Sequence, residues 1–131
     1  MNVLTLSDNT LARLQGMTFP PFFDSKVVEP APGAGYGVFY PGAGSIERGR
    51  HSSVGDHLRW TCSVVCAGRS RQQVTNIVDK VRDRLIGWPP DPLGDPITEI
   101  PLDAPLIRDD SNPSDIRFSI TLQFTLGTAR S

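Results

Sequence analysis

Long apolar runs are absent from this 131-residue chain. No stretch approaches the roughly 18 consecutive apolar residues of a membrane-spanning helix, so no membrane partner is expected. Met1–Gln15 lacks a basic stretch followed by an apolar one and does not read as a secretory signal. Charge of one sign is also missing. Thirteen Lys and Arg against fourteen Asp and Glu leave a formal net charge of -1. That balance argues against a nucleic-acid binder driven by backbone charge and against an acidic solvating tail.

Cysteine and histidine are scarce, with two of each. Cys62 and Cys66 are four apart on a stretch that reads as a strand, which places them about 13 Å apart on one face. A disulfide needs Cα atoms within about 7 Å, so the pair is expected to stay free and to serve as small buried hydrophobes. Free thiols with apolar flanks suit a reducing compartment. His51 and His57 lie in or beside a polar stretch without a carboxylate at metal-ligand spacing, and read as solvated side chains. A Cys–His nucleophile pair is disfavoured because alternation points His57 away from both thiols.

What the chain has in excess is Gly and Pro, twelve of each, about 18% against a usual roughly 12%. Long ordered loops are expected. Gly33–Gly37 and Gly42–Ser45 contain no Lys, and the first leads into a strand instead of a helix, so neither reads as a phosphate loop. The acids from Asp91 to Asp115 never place an oxygen ligand at every second residue around a central Gly, so they read as turn formers, not a calcium loop. No cofactor or metal is expected, and no catalytic residue stands out.

Three segments carry clear periodicity. Leu58, Trp60, Cys62, Val64 and Cys66 alternate with polar neighbours across Asp56–Cys66, a half-buried strand. Ile116, Phe118, Ile120, Leu122, Phe124 and Leu126 do the same across Asp115–Leu126. Between them, Val74, Ile77, Val78, Val81 and Leu85 form one helical stripe, opened by a capping-box pattern at Ser70 and Gln73 and closed at Gly87. Tyr36–Tyr40 is a shorter strand, and Ile97–Ile107 a weak one broken at Pro101 and Pro105. Ser7, Asp8 or Asn9 is the expected cap of a short helix through Leu14, within an otherwise irregular segment 1–35. Ser45–Gly55 is expected as a loop or hairpin tip, Trp88–Asp95 as a rigid loop, and 127–131 as a polar tail.

The expected fold is a single α+β domain spanning 1–131: an antiparallel or mixed sheet of about four strands, with one long amphipathic helix and a short N-terminal helix packed on one face. A twelve-residue strand spans about 40 Å and a seventeen-residue helix roughly 25 Å. About 15 Å of apolar stripe then needs another cover, either the N-terminal segment with Phe19, Phe22 and Phe23 or a neighbouring subunit. Arg48, Arg50, His51, Arg59, Arg69 and Arg71 flank the long strand and are the candidate interface residues.

The order of these pieces, YGVFYPG, HLRWTCSVVCAG, SRQQVTNIVDKVRDRL and PSDIRFSITLQFTL, resembles the tail terminator (tail completion, minor tail) proteins of long-tailed siphophages. The likeness runs from Tyr36 to Leu126, about 70% of the chain. It is one of pattern, since the family has no invariant catalytic motif. The N-terminal helix is shorter than the family's usual one, and the Pro-rich Phe19–Phe23 departs from it. The resemblance implies a structural, non-enzymatic virion protein at the tail–neck junction, assembled in the host cytoplasm. It implies a homo-oligomer, a hexameric ring, that caps the tail tube protein and meets the head connector or stopper protein. DNA would pass through the ring without specific binding, and the Ser45–Gly55 loop would reach the tube or line the ring. Other readings are another neck or head-completion protein, a small α+β binding module, or a small hydrolase whose nucleophile–base pair the available Ser, Cys and His do not assemble.

Overall fold

A computed structural model of the chain describes residues 2–26, 32–47 and 57–129. The first element, α1 (Val3–Gln15), starts earlier than the sequence suggests. Its cap is Asn2, whose Oδ1 accepts the Thr5 N–H at 2.8 Å and so satisfies one of the open donors of the first turn. The buried stripe is Leu6, Thr10 and Leu14. A threonine at its centre hides the helical period. In the fold its hydroxyl donates to the Leu6 carbonyl at 2.8 Å, which allows its burial.

The strands are β1 (Phe22–Asp24), β2 (Tyr36–Pro41), β3 (Ser45–Glu47), β4 (His57–Gly68), β5 (Thr98–Ile100), β6 (Ile107–Asp109) and β7 (Arg117–Ala129); α2 (Arg71–Leu85) lies between β4 and β5. They form one mixed sheet in the order β1-β2-β4-β7-β5, with β3 also on β4 and β6 also on β7. Only β1–β2 is parallel among the described pairs. This corrects the expectation of about four strands with one long helix and one short. The sheet has seven strands, and the helices are of similar length, 13 and 15 residues. The physical reason is length. Each of β1, β3, β5 and β6 is three residues long, too short for alternation to register. They exist because a long neighbour offers its open hydrogen-bonding edge. Pro101 and Pro105 both fall in the gap between β5 and β6, where no ladder bond is required of them. Gly127–Ala129, expected in a polar tail, are the end of β7.

The backbone of the fold is the antiparallel β4–β7 ladder, running from His57↔Ala129 to Gly68↔Phe118. One face of it carries Leu58, Trp60, Cys62, Val64 and Cys66 opposite Leu126, Phe124 and Leu122, all buried. Helix α2 lays Val74, Ile77, Val78, Val81 and Leu85 on that face. Its N-terminus is capped as the pattern requires: Ser70 Oγ accepts the Gln73 N–H at 3.2 Å. The return bond is displaced by one residue, with Gln73 Oε1 accepting the N–H of Arg69 at 2.8 Å in place of that of Ser70.

Part of the rest of the apolar stripe is covered from within the chain, while Ile116, Phe118 and Ile120 stay half-buried. α1 packs beside α2, and Leu6, Leu14 and Phe22 join the same core. Of the three N-terminal phenylalanines only Phe22 enters it. Phe19 stays partly exposed, and Phe23 turns to the opposite sheet face, its ring 6.1 Å from that of Tyr36. That opposite, helix-free face carries Thr61, Ser63 and Val65 from β4 and Thr121, Gln123 and Thr125 from β7.

Candidate interaction surface

Chemistry-bearing side chains are held apart by the sheet. Cys62 and Cys66 are free and buried on the helix-covered face. Burial pushes both thiols up to about 12, with Arg82 drawing Cys66 slightly back. They therefore remain protonated and unreactive at neutral pH. His57 belongs to the opposite face, its imidazole beside Gly127, so no Cys–His pair forms between them. Among the described residues no three His, Cys, Asp or Glu side chains are grouped to hold a metal ion. No described helix is long and apolar enough to cross a membrane.

Of the candidate interface residues, the described Arg59, Arg69 and Arg71 do not gather into one patch. Arg48, Arg50 and His51 lie outside the described residues, as does most of the Ser45–Gly55 loop. Arg59 sits near the start of β4, opposite Gly127 and Ser45. Arg69 follows the end of the same strand, ten residues on, about 33 Å along an extended chain. Arg69 donates to Asp115 Oδ1 at 3.3 Å. Arg71 is exposed in the first turn of α2, where the helix dipole disfavours a cation. Arg69 and Arg71 share one end of the sheet, and Arg59 belongs to the other.

Next to Arg69, Arg117 works as a structural clamp. It donates to both Asp115 oxygens, at 2.9 and 3.2 Å, and to the Pro32 carbonyl at 2.7 Å, and its guanidinium lies 5.7 Å from the Tyr36 ring centre. These bonds hold the Asp115 carboxyl below the usual carboxylate range. They also order the approach to β2 and one wall of a groove of about 200 Å³ on the helix-free face.

A feature that sequence reading recognised only as a rigid loop is the turn at Trp88–Asp95. Gly87, at φ +83°, starts it in the left-handed region. The Ile97 N–H donates to the Trp88 carbonyl at 3.0 Å, and the Asp95 N–H to the Gly127 carbonyl at 3.0 Å. Asn9 of α1 donates to the Pro90 carbonyl at 3.1 Å. At the centre, Asp91 Oδ2 accepts the Thr128 hydroxyl at 2.6 Å and Oδ1 accepts the Leu93 N–H at 3.0 Å. This framework presents Leu93 as a residue 97% exposed. The signal in the sequence was a large apolar residue inside a Pro- and Asp-rich turn that no core periodicity claims.

The Thr128 and Leu93 bonds hold the Asp91 carboxyl below its ordinary range. A carboxyl depressed in the folded state contributes stability that is complete above its unfolded value of about 3.9 and is lost as pH falls through the folded value. Asp109, held down by Ser111, and Asp115 act in the same direction. The thermal midpoint is therefore expected to be flat near neutrality and to fall below about pH 4. The fall should be shallower in an Asp91→Asn chain, as followed by circular dichroism. Equal slopes in the two chains would remove Asp91 from this role.

Two grooves flank the helices. One, of about 330 Å³, lies between α1 and the β1–β2 edge and is lined by Val3, Leu4, Leu11, Phe39 and Pro41, with Asp8 and Asp24 beside them. The other, of about 220 Å³, opens beside α2 at the stretch of β7 left uncovered between β5 and β6. There Arg82 of α2 makes a two-pronged pair with Glu99 of β5, at 2.7 and 3.0 Å, which raises the guanidinium pKa further and ties the edge strand to the helix.

No family model matches the chain, and no curated protein matches it in sequence. In fold it is similar to a chain of the virion of a native gene transfer agent particle. The TM-score is 0.59 at 12% identity, and the match covers 98% of this chain and 96% of that one. At such identity the likeness shows the fold, which the two chains share from end to end.

Proposed function

We infer that the chain is a structural protein of a phage-like virion. The observation that carries this reading is the end-to-end fold likeness to a chain of a gene transfer agent virion, two proteins of nearly equal extent. Independently, the order of sequence pieces from Tyr36 to Leu126 resembles the tail terminators of long-tailed phages. The finer reading is a tail terminator: a ring of identical subunits, hexameric in the family, that caps the finished tail tube, stops its polymerisation and meets the head connector. Its role is to be a surface, without cofactor or catalysis, and DNA passes through the ring unread.

The surfaces described above suit such a role. Two long strands stabilise a rigid platform, while short edge strands, grooves and an exposed leucine remain at its margins. The test is negative-stain microscopy of particles assembled with and without this protein. Overlong, headless tails in its absence are the expected result. Tails of normal length beside leaking or tailless heads would overturn termination and move the role to head completion. Unchanged particles would overturn the virion reading altogether.

A further inference from the structure

We propose that the groove between α1 and the β1–β2 edge is a docking site for a basic, apolar segment of another protein, one whose aliphatic side chains are flanked by Lys or Arg. The inference names the chemistry of a partner, and rests on the virion reading only in that such a surface protein has partners.

α1 carries two apolar stripes where the core uses one. Leu6, Thr10 and Leu14 are buried against the sheet. Leu4 and Leu11, seven residues apart and so on one flank of the helix, line the groove instead. Leu4 is 69% exposed, second only to Leu93 among the large apolar residues described. The facing wall is made by Phe39, Pro41 and the bare backbone of Gly42. At about 330 Å³ the groove admits aliphatic side chains.

The sheet edge decides how an occupant is held. β1 covers β2 only as far as the Asp24↔Phe39 pair. Along that edge the Gly37 N–H donates to the Pro21 carbonyl at 2.9 Å, and the Phe39 carbonyl accepts the Ser25 N–H at 3.0 Å. Two residues further, the next outward position is Pro41, which has no N–H to donate. A partner strand therefore finds no ladder to extend on β2. The occupant is held by its side chains.

Charge decides what kind of segment fits. The charged residues of the lining are Asp8 and Asp24, both exposed and both of one sign. Among the described residues neither is in an ion pair. Lys26, two residues past Asp24, lies outside the lining and makes no ion pair with it. Two unpaired carboxylates beside an apolar floor favour a cationic, apolar segment and disfavour an acidic one.

The experiment titrates the isotope-labelled full chain with acetyl-Lys-Leu-Leu-Lys-amide and with acetyl-Glu-Leu-Leu-Glu-amide, and reads backbone amide shifts. The expected result is a saturable response to the Lys peptide, in the millimolar range, at Leu4, Asp8, Leu11, Asp24 and Phe39. The Glu peptide should bind at least about tenfold more weakly. Raised salt, or Asp8→Asn together with Asp24→Asn, should weaken the Lys peptide several-fold. Both acids are exposed, so the thermal midpoint of the double variant should not move. Equal affinity for the two peptides, a response elsewhere on the chain, or no response overturns the site. Concentration-dependent shifts of the same amides without peptide would make a second copy the occupant, and overturn it too. Tail length under the microscope judges the virion reading separately. Overlong tails without a peptide response would sink this site and leave termination standing, and a groove-specific response with unchanged particles would do the reverse.

Discussion

Replacing Trp60 by Ala is expected to lower the unfolding free energy by about 4 kcal/mol, in the range of large-to-small aromatic core substitutions. For a chain of this length that is a fall of roughly 15 °C in the thermal midpoint. Trp60 is fully buried in the first half of β4, opposite Leu126, with its ring 6.4 Å from that of Phe39. It also joins two elements by a directional bond, since its indole Nε1–H donates to the Gly42 carbonyl at 3.0 Å just past β2. A Trp60→Phe chain separates the two contributions. It keeps most of the packing and loses the bond, and should cost about 1 kcal/mol. Urea unfolding followed by circular dichroism reads both. A midpoint shift under about 3 °C for the Ala variant would show that Trp60 is not a keystone of the core.

The second large effect is at Gly37, where β2 is held between two neighbours. It pairs with Phe22 on β1 and with Cys66 on β4, and its N–H donates to the Pro21 carbonyl at 2.9 Å. A Cβ placed there would run into the Phe22 ring, closer than any real contact. Phe22 is itself buried in the core. Gly37→Val is therefore expected to cost about 3 kcal/mol through overpacking and to detach β1. The cause is checkable by a double-mutant cycle. In a Phe22→Ala background the Gly37→Ala penalty should shrink by at least about 1 kcal/mol, because the ring it displaces is gone. Simple additivity would mean that the glycine is required for another reason.

The periodic elements were legible because their signal is local. Eleven residues of strict alternation before Ala67 have one half-buried solution, and β4 adopts it. The Ser70–Gln73 pair and the five-residue apolar stripe likewise determine α2 within the chain's own neighbourhood. α1 was legible only from its second half, because a buried Thr10 interrupts the stripe and the cap lies at Asn2 instead of Ser7 to Asn9. Of the candidate interface residues, the sequence placed Arg59 and Arg69 on the flanks of one strand, but proximity in sequence became distance in space once that strand was extended.

By itself, then, the sequence determined the two long strands, the helix between them, the burial of both cysteines and a balanced charge, each a consequence of spacing within a dozen residues. Only the tertiary structure decided the seven-strand sheet, the cover of the core by α1 and Phe22, and the display of Leu93 on the Trp88–Asp95 turn. The physical reason is that a three-residue strand has no period of its own and is stabilised by the edge it joins, while a surface exists only once distant segments have been brought together.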